Sequence, residues 1–192
     1  MLHLKVIQLY KSETKLIRQV REQNRTAQKV LFEKYAPKML GTCRQYIKDL
    51  HFAEDCMVMG FARVFKSLHT YKNTGSFEGW IRRIMVRECI SFLRAKKPFD
   101  FTADDFGPSE TPVELPQNSL ALNEIQELID KLPEGYRVVF NMFAIEGYKH
   151  QEIAEILNIE VSTSKSQLFK ARKQLQKHYA ELNLLKNGTQ SV

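Results

Sequence analysis

Between Ser162 and Lys177 the chain carries Ser162, Thr163, Ser164, Lys165, Ser166, Gln167, Lys170, Arg172, Lys173 and Lys177, without a carboxylate among them. Hydroxyl and amide groups hydrogen-bond to base edges, while Lys and Arg neutralise phosphates, so this mixture suits a DNA duplex. A second set, Trp80, Arg83, Arg87, Ser91 and Arg94, recurs every three or four residues, with Arg82 beside it and Lys96 and Lys97 extending the charge. An aromatic ring among cations fits a strand whose bases stack while its phosphates are neutralised. A third set places the apolar Val58, Met59 and Ala62 near Asp55, on a helix face that is either buried or open to a partner.

Helices must position all three sets. From Gly147 to Leu175 the chain reads as a helix, a tight turn and a second helix. Ile153, Ala154, Ile156 and Leu157 give the first its apolar spacing, and small Ala154 lets the second cross closely. Asn158 sits where the chain must turn, a position Asn tolerates in a left-handed backbone. Ile159 and Val161 plug the corner, Ser162 or Thr163 caps the next helix, and Leu168, Ala171 and Leu175 face inward. In helix-turn-helix geometry the early residues of the second helix, Ser164 and Gln167 included, meet base edges, and Lys170 and Arg172 hold phosphates. The bland alternative, a helical hairpin with a solvated basic face, agrees less well with spacing, turn and charge together.

The first half also reads as helical. Leu16 to Tyr35 carries Leu16, Ile17, Val20, Leu31 and Phe32 among charged residues, Pro37 interrupts, and Met39 to Leu50 resumes. In 53–68 Met57, Phe61, Val64, Phe65 and Leu68 share one face, whereas Val58, Met59 and Ala62 lie on another; such a helix is either fully buried or shows its second face to a partner. From Phe77 to Arg94, Ile81, Ile84, Met85, Cys89 and Phe92 form the inward stripe.

Charge divides the chain. Residues 1–97 hold 20 Lys and Arg against 8 Asp and Glu, 98–130 hold 8 acidic residues and no basic one, and 131–192 hold 9 basic against 6 acidic, within a formal net of +7. Pro98, Gly107, Pro108, Pro112 and Pro116 punctuate a stretch without helical period. The expected architecture is therefore all-α: a helical domain over 1–97, a flexible acidic linker over 98–120, and a helix-turn-helix domain over 121–192. About 20 linker residues extend to at most roughly 70 Å, which spans about two turns of duplex at roughly 34–36 Å each.

Other classes find little support. No apolar run is long enough for a bilayer and no signal-peptide core opens the chain, so a cytosolic protein is expected. Cys43, Cys56 and Cys89 lack paired metal-type spacing and read as packed thiols; His3, His51, His69, His150 and His178 form no ligand cluster. Without a phosphate loop, nucleophile elbow or triad, neither enzyme chemistry nor a metal or cofactor is expected.

In order, these parts resemble the extracytoplasmic-function (ECF) class of bacterial RNA polymerase sigma factors over nearly the whole length. LIRQVREQNRTAQKVLFEKY looks like that family's opening helix, FAEDCMVMGFARVFKSL like its clamp-binding helix, and GSFEGWIRRIMVRECISFLRAKK like its promoter-melting helix. LPEGYRVVFNMFAIEGYKHQEIAEILNIEVSTSKSQLFKARKQL looks like its upstream-element reader. The resemblance implies that Asp55 and its neighbours Val58, Met59 and Ala62 dock on the clamp helices of the polymerase's largest subunit. It implies that the first domain reads and opens the minus-ten element, that the second reads the minus-thirty-five element, and that an anti-sigma protein is a common further partner. Three departures stand out. Val58 and Met59 replace a polar Gln and an acid; Arg87, Glu88 and Ser91 replace an Asn, a small residue and an Asp; and Lys149 stands where a capping Ser is common, weakening that helix start by about 1 kcal/mol. Five linker carboxylates, Asp100, Asp104, Asp105, Glu110 and Glu114, suit either a basic polymerase channel or a solvated tether. The competing functional readings are a free-standing dimeric helix-turn-helix regulator and a nonspecific RNA-binding protein.

Overall fold

The computed structural model describes residues 12–96 and 122–188, so the acidic stretch expected as a linker, 98–120, lies outside the described residues. The chain divides into two compact units, one running to Phe92 and the other beginning at Leu93. Eight α-helices and no strand occur among the described residues: α1 (Glu13–Arg21), α2 (Arg25–Tyr46), α3 (Leu50–Ser67), α4 (Phe77–Lys96), α5 (Leu122–Asp130), α6 (Glu134–Phe140), α7 (His150–Leu157) and α8 (Val161–Gly188).

In the first unit each helix start has its own acceptor. The Ser12 side chain accepts from the Lys15 amide at 3.1 Å, Asn24 Oδ1 from Ala27 at 3.0 Å, and Asp49 Oδ1 from Phe52 at 3.1 Å. Such caps satisfy amides that the helix itself leaves unpaired and contribute typically about 1 kcal/mol each. The break in the expected Leu16–Tyr35 helix falls at Gln23, whose φ of 60° ends α1 before Asn24 starts α2. Pro37, expected to interrupt, instead lies inside the continuous α2. It removes one backbone hydrogen bond, but Tyr35, Met39, Thr42, Cys43 and Tyr46 are all buried around it, and their packing holds the helix together.

α3 and α4 pack antiparallel in a register read from three places. Phe52 meets Phe92 with ring centroids 5.4 Å apart, Cys56 meets Cys89, and Gly60 lies under Met85. A Cβ on Gly60 would fall 2.3 Å from Met85 Sδ, so the bare backbone leaves room for the thioether where it lies. The three cysteines, separate in sequence, converge here from α2, α3 and α4 and are buried. Hydrogen bonding to Cys89 pulls Cys56 down, while the same contacts, with Cys43 and with Cys56, and burial push Cys89 well above the ordinary thiol value. They form no group of metal-ligating geometry among the described residues.

In the second unit Leu128, Ile129, Leu132, Ala171 and Leu175 make a core with Tyr136, Phe140 and Tyr179 against it. α6 runs on through a π-helical turn, Asn141–Ile145, and Gly147 at φ 74° turns the chain toward α7. Lys149 offers no side-chain acceptor at the start of α7, yet Glu152 Oε2 accepts from the Lys149 amide at 2.8 Å, so one half of a capping box survives. Asn158 ends α7 in the left-handed conformation expected of it, at φ 53° and ψ 55°. Ser162 and Thr163 do not cap α8, because the helix already begins at Val161, with Glu160 O accepting from the Ser164 amide at 3.1 Å. At the other end α8 runs to Gly188.

A carboxylate ties α1 to α2. Glu13 Oε1 accepts from Lys34 Nζ at 2.8 Å and from the Tyr35 hydroxyl. Partial burial alone would raise the Glu13 carboxyl, but these hydrogen bonds outweigh it and hold it below 4.5; burial and the carboxylate push the Tyr35 phenol up to about 12. A depressed folded value means that the contribution is present above 4.5 and lost as pH falls through the folded value. Glu13→Gln is therefore expected to lower stability by roughly 1 kcal/mol at pH 7. Urea titrations of both proteins should show the gap closing on acidification below the ordinary carboxylate range.

Candidate nucleic-acid interface

Most interface candidates lie on the face their helix does not bury; Arg82, Ser164 and Gln167 do not. In α3, Ala53, Cys56, Met57, Gly60, Phe61 and Val64 face inward, which turns Asp55, Val58, Met59 and Ala62 outward at positions i, i+3, i+4 and i+7. Val58 is 53% and Met59 54% exposed, so of the two possibilities open to this helix the second face is presented. In α4, Ile81, Met85, Val86, Cys89, Ile90 and Leu93 are buried, while Arg83, Arg87, Ser91 and Arg94 are exposed along one strip that begins at half-buried Trp80. Arg82 is set apart. At about 100° per residue it falls roughly half a turn from Trp80, on the arc that holds Met85, Cys89 and Leu93, and it is half-buried.

The loop before α4 fixes Trp80. Arg21 donates through Nη2 to Tyr71 O and through Nε to Leu68 O, and Tyr71 donates to Gly75 O at 3.0 Å. Ser76 Oγ then accepts from the Gly79 amide at 3.2 Å at the start of α4. Trp80 stacks on Phe77 with centroids 5.8 Å apart and planes 14° from parallel, and meets Tyr71 at 5.5 Å. A ring braced in this way loses little further freedom when a base stacks upon it.

α8 revises the recognition set. Ser164 is fully buried and Gln167 is 2% exposed, because both lie on the stripe of Leu168, Ala171 and Leu175 that packs inward. Neither presents its side chain to solvent, so neither is a direct base reader. Ser162, Lys165, Lys173 and Lys177 are exposed, and Thr163, Ser166, Phe169, Lys170 and Arg172 are half-buried around them. The outward face thus keeps its basic and hydroxyl character and its lack of carboxylates. Ser164 instead bonds His150 Nδ1 at 2.9 Å; His150 stacks on Phe143 at 4.5 Å, and the Arg172 guanidinium lies over the Phe143 ring at 5.7 Å. Burial, then the charges of Lys165 and Arg172, hold the His150 imidazole below its ordinary value. His150 and Phe143 were absent from the expected site residues. The clue available in the sequence was the phase of Ser164, four residues before Leu168 and seven before Ala171.

The comparisons with known proteins divide the chain in the same order. The family described as Sigma-70 region 2 matches residues 31–99, and Sigma-70, region 4 matches 122–175. The chain belongs to the sigma-70 family of RNA polymerase sigma factors, in its extracytoplasmic-function class. It is 29% identical over 185 residues to the ECF RNA polymerase sigma factor SigW of Bacillus subtilis, covering 88% of this chain and 97% of that one. To the RNA polymerase sigma-H factor of Pseudomonas aeruginosa it is 26% identical over 178 residues, covering 86% and 92%. The fold is similar to that of the sigma factor RpoE from Bartonella quintana, solved in complex with the anti-sigma factor NepR, with a TM-score of 0.51 and 17% identity over 78% of this chain and 94% of that one. In this sigma factor α3 and α4 fall within region 2, and α5 to α7 with the first half of α8 fall within region 4.

Burial separates two kinds of α8 residue by experiment. Gln167 Oε1 is buried without a hydrogen-bond partner, so Gln167→Met, which keeps volume and removes that oxygen, is expected to leave stability within about 1 kcal/mol of wild type or raise it. Thermal unfolding checks this; a loss of several kcal/mol would show that the amide is satisfied in solution.

Proposed function

We propose that this sigma factor works by a division of binding labour between its two units. The exposed strip Asp55, Val58, Met59 and Ala62 on α3 docks on the clamp helices of the core polymerase's largest subunit. Trp80, Arg83, Arg87, Ser91 and Arg94 grip the opened minus-ten region by stacking and phosphate contact. Ser162, Thr163, Lys165, Lys170 and Arg172, joined by Ser166, Lys173 and Lys177, engage the minus-thirty-five element in the major groove. Arg82, half-buried on the other arc of α4, stands outside this grip. No bond is made or broken by the chain itself; binding energy offsets the cost of unpairing bases.

The observation that carries this reading is the outward face of α8, a helix without a carboxylate from Val161 to Ala180, on the same chain as an α3 that leaves Val58 and Met59 uncovered. Covering the exposed half of each such side chain is worth about 1 kcal/mol, and a protein partner recovers it. That partner is the polymerase core, encountered in the cytoplasm, and an anti-sigma protein that covered the same strip would compete with it. Among the described residues no helix is long and apolar enough to cross a membrane.

Run-off transcription with purified core polymerase on a promoter library tests the whole reading: specific starts are expected, and a stable homodimer that binds promoters tightly without polymerase would favour a free-standing regulator instead. Met59→Asp places a charge in the docking strip and is expected to weaken association with core polymerase by about tenfold or more, with the fold intact because the site is exposed; fluorescence anisotropy of labelled chain reads the affinity. Lys173→Ala should weaken binding to all DNA sequences alike and reduce the slope of log K against log salt by roughly 0.9, one phosphate contact.

A further inference from the structure

We infer that His150 is a positioning residue for promoter recognition: bonded to Ser164 and stacked on Phe143, it fixes the rotation of α8 against α7 and aims Arg172, an inference that rests on α8 being the recognition helix. The apolar contacts between these helices come from Ile153, Ala154, Leu157, Leu168 and Ala171, all buried. Such contacts are non-directional and tolerate small rotations. The His150 Nδ1 to Ser164 Oγ bond, at 2.9 Å, joins the first turn of α7 to the first turn of α8 and is directional.

The lever is short and the tolerance small. A helix with its side chains is about 10–12 Å across, so a rotation of roughly 10° moves an outward side-chain tip by about 1 Å. A base-edge hydrogen bond spans only about 2.7–3.2 Å, and a displacement of that size breaks it. Ser164 lies on the opposite side of α8 from Ser162, Ser166 and Lys173, so the bond anchors the helix behind its reading face.

The second arm of the brace acts on Arg172. Its guanidinium lies over Phe143, which stacks on His150, so the three form a tier whose base is held by Ser164. Among the described residues no carboxylate forms an ion pair with Arg172. A ring rather than an anion holds the guanidinium, and its charge stays uncompensated for a phosphate. The hydroxyl of Ser164 donates or accepts, so the bond survives either tautomer of the imidazole. The charged groups around His150 are Lys165 and Arg172 on α8, and Glu152 on its own helix, which is engaged by the Lys149 amide.

The test uses holoenzyme, assembled from full-length chain and core polymerase, on a library varied in the upstream promoter element. His150→Phe keeps the stack and loses the bond, His150→Gln keeps an amide able to reach Ser164 and loses the imidazole, and Ser164→Ala removes the partner with little change of volume. His150→Phe and Ser164→Ala are expected to narrow the discrimination between best and singly mismatched sites by about tenfold, the worth of one base contact, while affinity for random DNA stays within about twofold. His150→Gln is expected to restore part of the discrimination. A wild-type holoenzyme that prefers some sites, with variants that keep the same preference and lose only overall affinity, overturns this inference alone. A wild type without any preference overturns the recognition-helix reading and this inference with it. A measurement free of destabilised variants is the NMR titration of His150 in the full chain. Its midpoint is expected below 6.5, and to rise in Arg172→Met as a neighbouring positive charge is removed; an unchanged midpoint overturns the tier.

Discussion

Each working helix is held at one rotation about its own axis by the side it buries, and every surface this sigma factor offers follows from that. One such contact sets the Met85 thioether against the bare backbone of Gly60, where α3 and α4 meet. With the register pinned there and at Phe52 and Phe92, Asp55, Val58, Met59 and Ala62 have no direction left but outward. The same contact turns the strip from Trp80 to Arg94 away from the core. Two unlike surfaces, one apolar beside an acid and one cationic beside an aromatic ring, thus share one packing decision.

Carboxylates are placed so that they do not spoil the cationic strips. Glu13 is engaged by Lys34 and Tyr35, Glu78 by Lys38 at 2.8 Å, and Glu88 by Arg63. These pairs are mostly exposed and contribute little to stability individually. Their consequence is electrostatic: among the described residues Arg83 and Arg87 have no ion-pair partner, so their charge remains available. Glu88, where relatives of this class were expected to carry a small residue, is buried and paired with Arg63 of α3. In α8 the same end is reached by leaving acids out from Val161 to Ala180.

Much of this was legible in the chain itself. Apolar phase along α4 identified its buried and presented faces, along α3 it marked two apolar faces without deciding whether the second was covered, and Asn158 announced the turn because few other residues accept its backbone angles. What the sequence hid were properties of the assembled unit. Pro37 looked like a stop because local propensity says so, whereas five buried neighbours outweigh one lost hydrogen bond. Cys43, Cys56 and Cys89 looked isolated because their meeting point exists only once three helices pack. Ser164 and Gln167 were assigned outward on polarity, although their spacing from Leu168 and Ala171 put them inside. Phase deserved more weight than residue type, since a hydroxyl can be buried cheaply when an imidazole waits for it.

The two DNA surfaces differ in a way that orders their use. On the reading proposed above, α8 with its Lys and Arg reads double-stranded DNA, an interaction dominated by counterion release and strongly weakened by salt. The α4 strip adds Trp80, already held by Phe77 and Tyr71, and stacking on an unpaired base is far less sensitive to ions. A base is available for stacking only after the duplex opens, and opening is unfavourable until the chain is already anchored upstream. On that reading the salt-sensitive surface acts first, and the aromatic one captures what it makes possible. That sequence is imposed by where charge and ring are placed, and it needs no change in shape within either helical unit.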